Sequence, residues 1–289
     1  MADRAYKIVT DSTCDLPDET VKALGIDILN LTYEVDGVDY AGNELPIDAF
    51  YEKMRKGSVT RTSQITPETY RAYFERQILD GFDILYLGFS SALSGSYQSA
   101  ITAAAELSEQ YPQAKLYPVD TLSASLGEGL LVYLTCQKKG EGLDIDALRE
   151  WVINTRLHLC HVFTVDDLHF LHRGGRVSKT AAIAGSILGI KPMLHVDDEG
   201  RLVPVSKIRG RKQSLARLVE MMEERKGTWE NKTIAICHGD CRAEADEVAQ
   251  LAKKILGKNT EVIIGHTGPV IGSHSGPGTM ALFFLGAQR

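Results

Sequence analysis

Short apolar runs alternate with longer segments of helical periodicity, and this alternation constrains the fold more than any other feature of the sequence. The runs "YKIVTD" from Tyr6, "FDILYLGF" from Phe82 and "KLYPVDT" from Lys115 have the length and composition of buried strands. A helical segment follows each run, including "SYQSAITAAAELSEQYP" from Ser96. Strands separated by helices of this length form parallel sheets through right-handed crossovers. The first half of the chain is therefore predicted to form an α/β domain with a parallel sheet.

Two further segments complete the predicted organisation of the first half. The segment "IDILNLTYEV" alternates between apolar and polar residues over residues 26–35, which predicts one strand. Asp36-Gly37 follows it and is typical of a hairpin turn into a second strand. The stretch "RTSQ", residues 61–64, is predicted to be a loop before a helix that is capped by Thr66.

A second unit begins after residue 156, where the helical segment "DIDALREWVINTRLHL" leads into the strand-like "CHVFTVDD". An unusually apolar helix, "TAAIAGSILG", is predicted over residues 180–189. Asp198-Glu-Gly200 predicts a hairpin, and a hairpin makes the second sheet mixed rather than all parallel. A chain of 289 residues is long enough to form two domains. We predict an α/β fold with two domains, residues 1–156 with a parallel sheet and residues 157–289 with a mixed sheet.

Charge and cysteine content exclude several classes of protein. The net charge of −6 argues against a nucleic-acid-binding protein, which needs a basic face to neutralise phosphates. No stretch has the apolar length of a signal peptide or a membrane-spanning helix, so no integral membrane segment is predicted. The five cysteines are scattered and odd in number, which indicates reduced thiols rather than a disulfide framework. These features predict a cytoplasmic protein.

Several short spacings of histidine and cysteine resemble parts of metal sites. They are His158-x-x-His161, His169-x-x-His172 and Cys237-His238-x-x-Cys241. A closed zinc site needs four ligands in tetrahedral geometry, and none of these pairs has a matching second half. Near the C-terminus the pattern His-Thr/Ser-Gly-Pro occurs twice, at His266 and His274, and these two histidines are not interpreted as a metal pair. The sequence predicts no metal site.

Nucleophilic hydrolysis is the alternative function. Gly88-Phe-Ser90-Ser-Ala92 follows a strand and nearly matches the Gly-x-Ser-x-Gly nucleophile elbow, with His274 later in the chain. Against it, Leu93-Ser94-Gly95 separates Ser90 from the next helix, whereas the elbow requires a tight strand-to-helix turn. A serine hydrolase that uses Ser90 or Ser94 with His274 remains the alternative hypothesis. No nucleotide-binding glycine motif is present, so ATP binding is not predicted.

Hydroxyl side chains gather at the starts of two helices. "RTSQ" precedes one helix and "SSALSGS", residues 90–96, precedes another. A helix N-terminus offers free N–H groups and a partial positive charge, so it can accept an anion. Serine and threonine hydroxyls can add short hydrogen bonds to a carboxylate. The residues therefore suggest a carboxylate site, although simple helix capping explains any one of them equally well.

Seven motifs, in this order, resemble those of the DegV family, the bacterial fatty-acid-binding proteins. The resemblance runs from about Lys7 to the C-terminus through "KIVTDSTCDLP", "RTSQ", "SSALSGSYQSA", "VDTLSASLGEG", "LHRGGRVSK", "LGIKPML" and "VIGSHSGPG". It implies two α/β domains with a long-chain fatty acid between them as the bound ligand, and no cofactor. It also implies a lipid carrier rather than an enzyme. FakB-like members present the fatty acid to a separate ATP-dependent kinase, which makes acyl phosphate for phospholipid synthesis.

The resemblance also assigns roles to individual residues. It implies that Thr62 and Ser94 bind the carboxylate and that His274 lies near it. Ser63 and the Gly95 backbone N–H are expected to be secondary donors. The arginines expected to contact the head group or a partner are Arg173, Arg176 and Arg209, with Arg211 the alternative to Arg209.

Overall fold

A computed structural model describes residues 4–178 and 189–289. It confirms the predicted α/β fold, with one parallel and one mixed sheet. The helix predicted over residues 180–189 lies outside the described residues except for Gly189. In the described ranges, no helix combines the length and the apolar character needed to cross a membrane.

The first sheet has four parallel strands in the order β2-β1-β6-β7, as the sequence predicts for the first half. All six residues of β6 are buried, which is expected of a central parallel strand with helices on both faces. The strands of this sheet are β1 (Tyr6–Asp11), β2 (Asp27–Leu29), β6 (Asp83–Gly88) and β7 (Leu116–Asp120).

A small antiparallel sheet corrects the local prediction in two places. Its strands, in the order β4-β3-β5, are β3 (Thr32–Val35), β4 (Val38–Ala41) and β5 (Thr60–Ser63). The predicted strand over 26–35 is broken, because the backbone N–H of Leu31 donates to Ser12 Oγ (3.0 Å) and leaves the ladder. The prediction of a loop at "RTSQ" was wrong for its first three residues, which belong to β5. A short polar strand lacks the apolar alternation that reveals strands in a sequence. The predicted hairpin at Asp36-Gly37 is confirmed.

The second sheet has six strands in the order β10-β9-β8-β13-β11-β12. It is mixed because β11 and β12 are parallel while the other neighbouring pairs are antiparallel. The predicted hairpin at Asp198–Gly200 joins β9 and β10. The strands are β8 (Leu159–Thr164), β9 (Ile190–Val196), β10 (Leu202–Arg209), β11 (Thr233–His238), β12 (Glu261–His266) and β13 (Met280–Leu285).

In the described part of the chain, helices alternate with these strands. Their bounds are α1 (Asp18–Leu24), α2 (Ile47–Arg55), α3 (Pro67–Leu79), α4 (Ser96–Gln110), α5 (Leu126–Gly140), α6 (Ile145–Thr155), α7 (His169–Arg173), α8 (Arg211–Arg225), α9 (Arg242–Leu256) and α10 (Pro269–Ser275).

Helix α5 lies between the two large sheets and holds them at a fixed separation. It packs on β1 and β6 of the first sheet and on β8, β11 and β13 of the second. Two glycines permit this close approach: a Cβ on Gly127 would lie 2.1 Å from His161 Nε2, and one on Gly129 would lie 2.5 Å from the Cys14 carbonyl oxygen. Because α5 contacts both sheets, the space beside it is bounded by both units. The proposed division after residue 156 stays a prediction.

Candidate functional site

A largely apolar cavity of about 190 Å³ is lined by residues from both halves of the chain. Both units contribute to its wall. The apolar lining residues are Leu31, Phe89, Leu93, Ala124, Phe163, Leu171, Val196, Leu202, Cys237, Val270, Ile271, Ala281 and Phe283. A cavity of this kind suits an apolar ligand, since water inside it would find few hydrogen-bonding partners.

Polar side chains concentrate where β5, the start of α4 and the end of α10 meet. Thr62 Oγ1 lies 2.8 Å from His274 Nε2. Ser94 lines the same cavity, and Ser63 and Gly95 line it beside them. The structure thus brings together the five predicted ligand-binding residues, although they lie up to 212 positions apart in the chain.

Local structure explains how Thr62 and Ser94 are presented. Thr62 is placed opposite Tyr33 in the β3–β5 pair. Ser94 immediately precedes Gly95, the N-cap residue of α4, and its Oγ accepts from the Ser96 backbone N–H (3.2 Å). A hydroxyl at this position lies within the positive field of a helix N-terminus.

The ring of His274 is held neutral. Burial, followed by the positive charges of Arg176 and Arg173, lowers the pKa of His274 to about 4. Its Nδ1 is buried and has no hydrogen-bonding partner among the described residues. Gly174 makes room for the ring, because a Cβ there would lie 2.1 Å from His274 Nδ1. A neutral imidazole in this position can exchange hydrogen bonds with Thr62 and with a ligand oxygen.

The predicted arginines are not all in one place. Arg176 lines the cavity, and its Nε donates to the Leu93 carbonyl oxygen (3.0 Å). Arg173 lies in an outer recess of about 430 Å³ that shares Thr62, Arg176 and His274 with the cavity. The cavity and the outer recess therefore adjoin at these three shared residues.

Arg209 and its alternative lie away from these residues. Arg209 is exposed at the end of β10 and lines neither the cavity nor the outer recess. Arg211 forms ion pairs with Glu244 (2.6 Å) and Asp166 (3.5 Å) and lines neither space either. The role that the family resemblance implies for one of them stays a prediction.

The serine-hydrolase alternative finds no support in this geometry. Ser90 Oγ donates to the Gly200 carbonyl oxygen (2.9 Å), which ties the β9–β10 hairpin to the first unit. Ser94 Oγ donates to Ser96 Oγ (3.1 Å). In the described part of the chain, the hydroxyl that contacts the His274 ring is that of Thr62.

Several residues of the cavity were missed by the sequence analysis. Ser275 is the most notable, because its hydroxyl is buried, lines the cavity and has no partner among the described residues. Its place beside His274 in "VIGSHSGPG" was the available signal. The other polar residues missed are Gln64, Ser125, His161, Thr267 and Thr279. Gln64 and Ser125 also lie within two of the family motifs, "RTSQ" and "VDTLSASLGEG", whereas nothing in the local sequence distinguishes His161, Thr267 and Thr279 from other polar residues.

The comparisons with known proteins agree with this geometry. A family model described as the DegV family matches residues 5–287. The chain belongs to the DegV family. It is 45% identical to the DegV domain-containing protein CPE0026 of Clostridium perfringens over 289 residues, which is 99% of both chains.

Several solved structures share the fold over nearly the whole chain. One is a protein of Thermotoga maritima described as revealing fatty acid binding function, with a TM-score of 0.83, 29% identity and coverage of 98% of this chain and 100% of that one. Another is a stearic acid-binding protein of Eubacterium ventriosum, with a TM-score of 0.87, 26% identity and coverage of 97% and 98%. DegV of Bacillus subtilis, described as a fatty acid binding protein, has a TM-score of 0.84, 27% identity and coverage of 98% and 100%.

Proposed function

We propose that this DegV protein binds one long-chain fatty acid between its two units. The acyl chain occupies the apolar cavity, and the carboxylate is held by Thr62, Ser94 and His274. The observation that carries the proposal is the combination of a narrow apolar cavity with a Thr62–His274 pair at its polar end. The solved DegV relatives that are described as fatty-acid-binding proteins support the same ligand class.

The chemistry of the polar end suits a carboxylate. The Thr62 and Ser94 hydroxyls can each turn from their present acceptors and donate to an anionic oxygen, and such charge-assisted bonds are stronger than neutral ones. The guanidinium of Arg176, whose pKa is lowered by burial, supplies nearby positive charge. Ser63 and the Gly95 N–H lie beside these groups as secondary donors.

We propose further that the protein acts as a carrier and presents the carboxylate to a separate fatty acid kinase. Thr62, Arg176 and His274 line both the cavity and the outer recess, so a carboxylate bound there lies near the surface. The carboxylate itself would attack the phosphoryl donor, and the carrier would need only to position it. Arg173 in the recess and the exposed Arg209 are candidate contacts for that partner.

The protein purified from a bacterial host is expected to carry fatty acid. Native mass spectrometry should show one long-chain acid per chain, and delipidated protein should take up palmitate or oleate. Loaded protein mixed with fatty acid kinase and ATP should yield acyl phosphate, trapped as the hydroxamate. Absence of fatty acid together with failure to take up either acid would refute the binding proposal. Uptake without acyl phosphate would refute the kinase role alone.

Gly174→Ala is expected to weaken fatty acid binding at least tenfold while leaving the fold intact. The new methyl group would meet His274 Nδ1, so the ring must leave its position beside Thr62. Loss of one hydrogen bond to a charged group is worth about 1.5–3 kcal/mol, or one to two orders of magnitude in affinity. Fluorescent fatty acid displacement measures the effect. Gly140→Ala is the control, because a Cβ there meets no atom within 4 Å; equal affinities for the two variants would contradict the role assigned to His274.

A further inference from the structure

Three side chains outside the cavity place metal-ligating atoms close together. They are Asp48 in the first turn of α2, Asp240 in the loop after β11, and His266 at the end of β12. One ligand atom of each lies within 4.8 Å of the others. The sequence predicts no metal site because these residues are far apart in the chain and match no ligand spacing. Only the approach of α2 to the second sheet brings them together.

The topology of the second sheet explains where this cluster forms. β11 and β12 are parallel, and His238 lies opposite His266 at their carboxyl ends. Ligands of α/β sheets commonly bind at this edge, where loops leave the strands. Asp240 adopts φ +57°, a left-handed conformation that aspartate tolerates better than most non-glycine residues.

The neighbouring His238 has an unsatisfied polar group. Its side chain is 1% exposed, and its ring centroid lies 4.4 Å from that of His266. Its Nδ1 accepts from the Cys241 backbone N–H (3.2 Å), so the neutral ring carries its proton on Nε2. That Nε2 has no hydrogen-bonding partner among the described residues. A water or hydroxide held by a cation at His266 would supply the missing acceptor.

We propose that Asp48, Asp240 and His266 bind a divalent transition metal ion of the zinc class. One imidazole and two carboxylates are suitable zinc ligands, and a bound water would complete four-coordination. Tetrahedral ligands at bond lengths of about 2.1 Å lie about 3.4 Å apart, so ligand atoms that lie within 4.8 Å of one another must close by up to about 1.4 Å. Asp48 is exposed and can rotate to do so. The metal would join α2 of the first unit to the second sheet.

Arg55 provides the main competing interpretation. Its guanidinium forms an ion pair with the Asp240 carboxylate, and its Nη2 also donates to the Asp240 carbonyl oxygen (3.2 Å). On that interpretation the ion pair alone ties α2 to the loop. The two interpretations predict different results for Arg55→Ala. Metal binding should tighten when the competing positive charge is removed, whereas an ion pair without a metal site gives no metal affinity in either protein.

Zinc titration of the untagged full chain tests the proposal. Protein freed of metal by chelator dialysis should bind one Zn²⁺ in competition with a fluorescent zinc indicator. His266→Ala and Asp240→Asn should each weaken binding at least tenfold, in line with the losses seen when metal-site groups are removed. Asp48→Asn, at an exposed position, should also weaken it, and Arg55→Ala should strengthen it. The exposed His169→Ala is the matched control and should bind as the parent does.

Two results would overturn the proposal. One is the absence of stoichiometric zinc binding by the parent. The other is unchanged binding in His266→Ala and Asp48→Asn, which would place the metal elsewhere, for example on cysteine. Cobalt(II) separates these cases, since thiolate ligands give a charge-transfer band that oxygen and nitrogen ligands lack. Thermal unfolding of each variant verifies that it is folded.

Discussion

Protein carrying both Thr62→Ala and Ser94→Ala is expected to retain no fatty acid through purification. Each hydroxyl is proposed to donate to the carboxylate, and a hydrogen bond to a charged group contributes about 1.5–3 kcal/mol. Loss of both should weaken binding roughly 100- to 10,000-fold. Native mass spectrometry gives the bound fraction, and titration with a fluorescent fatty acid gives the affinity.

The control separates loss of the carboxylate site from loss of stability. Ser94 Oγ also accepts from the Ser96 N–H, and losing such a hydrogen bond costs about 1 kcal/mol of stability. The double variant Ser91→Ala/Thr102→Ala removes two exposed hydroxyls of the same region and should bind as the parent does. Thermal unfolding should show both double variants folded. Full lipid retention by Thr62→Ala/Ser94→Ala would mean that the carboxylate lies elsewhere.

The second large effect concerns Glu128, which is buried in α5 between the two sheets. Thr10 Oγ1 lies 2.8 Å from both the Leu87 carbonyl oxygen and Glu128 Oε1. Thr13 Oγ1 lies 2.9 Å from Glu128 Oε2, and the two hydroxyls donate to the carboxyl group, which favours its ionised form. Burial, followed by the charge of Asp11, raises the pKa of Glu128 well above its usual value of 4.5. Burial therefore outweighs the two hydroxyl bonds and favours the protonated form of Glu128 in the folded protein.

Glu128→Gln is expected to stabilise the protein at neutral and alkaline pH. Since the folded pKa of Glu128 exceeds the unfolded value, its contribution to stability is complete below about pH 4.5 and is lost as pH rises toward the folded pKa. This loss approaches about 1.4 kcal/mol per pH unit. The Gln amide can donate to Thr10 at every pH and removes this dependence. Urea unfolding at pH 5, 6, 7 and 8 should show that the free energies of unfolding of the parent and of Glu128→Gln diverge as pH rises.

A matched substitution controls for the loss of one negative charge. Glu247 lies on the exposed face of α9. The free energy of unfolding of Glu247→Gln should therefore change with pH in the same way as that of the parent. Burial also raises the pKa of the nearby Asp11. Asp11 therefore adds a pH dependence of the same sign to the free energy of unfolding of the parent and of both variants. If the free energy of unfolding of Glu128→Gln also showed the same pH dependence as that of the parent, Glu128 would have to be ionised in the folded state.

Much of the fold could be predicted because its signals are local. The buried runs at β1, β6 and β7 predicted the parallel sheet, and the turn residues predicted the hairpins after β3 and β9. The errors lie in the small sheet. Leu31 leaves its strand to bond Ser12 from another segment, and the polar strand β5 forms only because β3 is there to pair with it. Neither cause can be seen within one sequence window.

The site residues were predicted from family motifs rather than from periodicity. Hydroxyls before helices suggested an anion site, but helix capping explained each of them equally well. The distance between Thr62 and His274, the neutral state of His274 and the cavity itself depend on contacts between the two units. Ser275 and His161 were missed for the same reason.

Taken alone, the sequence determined the α/β class, the parallel first sheet and the hairpin that makes the second sheet mixed. These properties follow from short-range periodicity, turn chemistry and motif composition. Tertiary structure alone decided that residues from β5, α4 and α10 share one polar end of one cavity, and that Asp48 meets His266. Burial and proximity set pKa values and ligand geometry, and both arise only when segments far apart in the chain pack together.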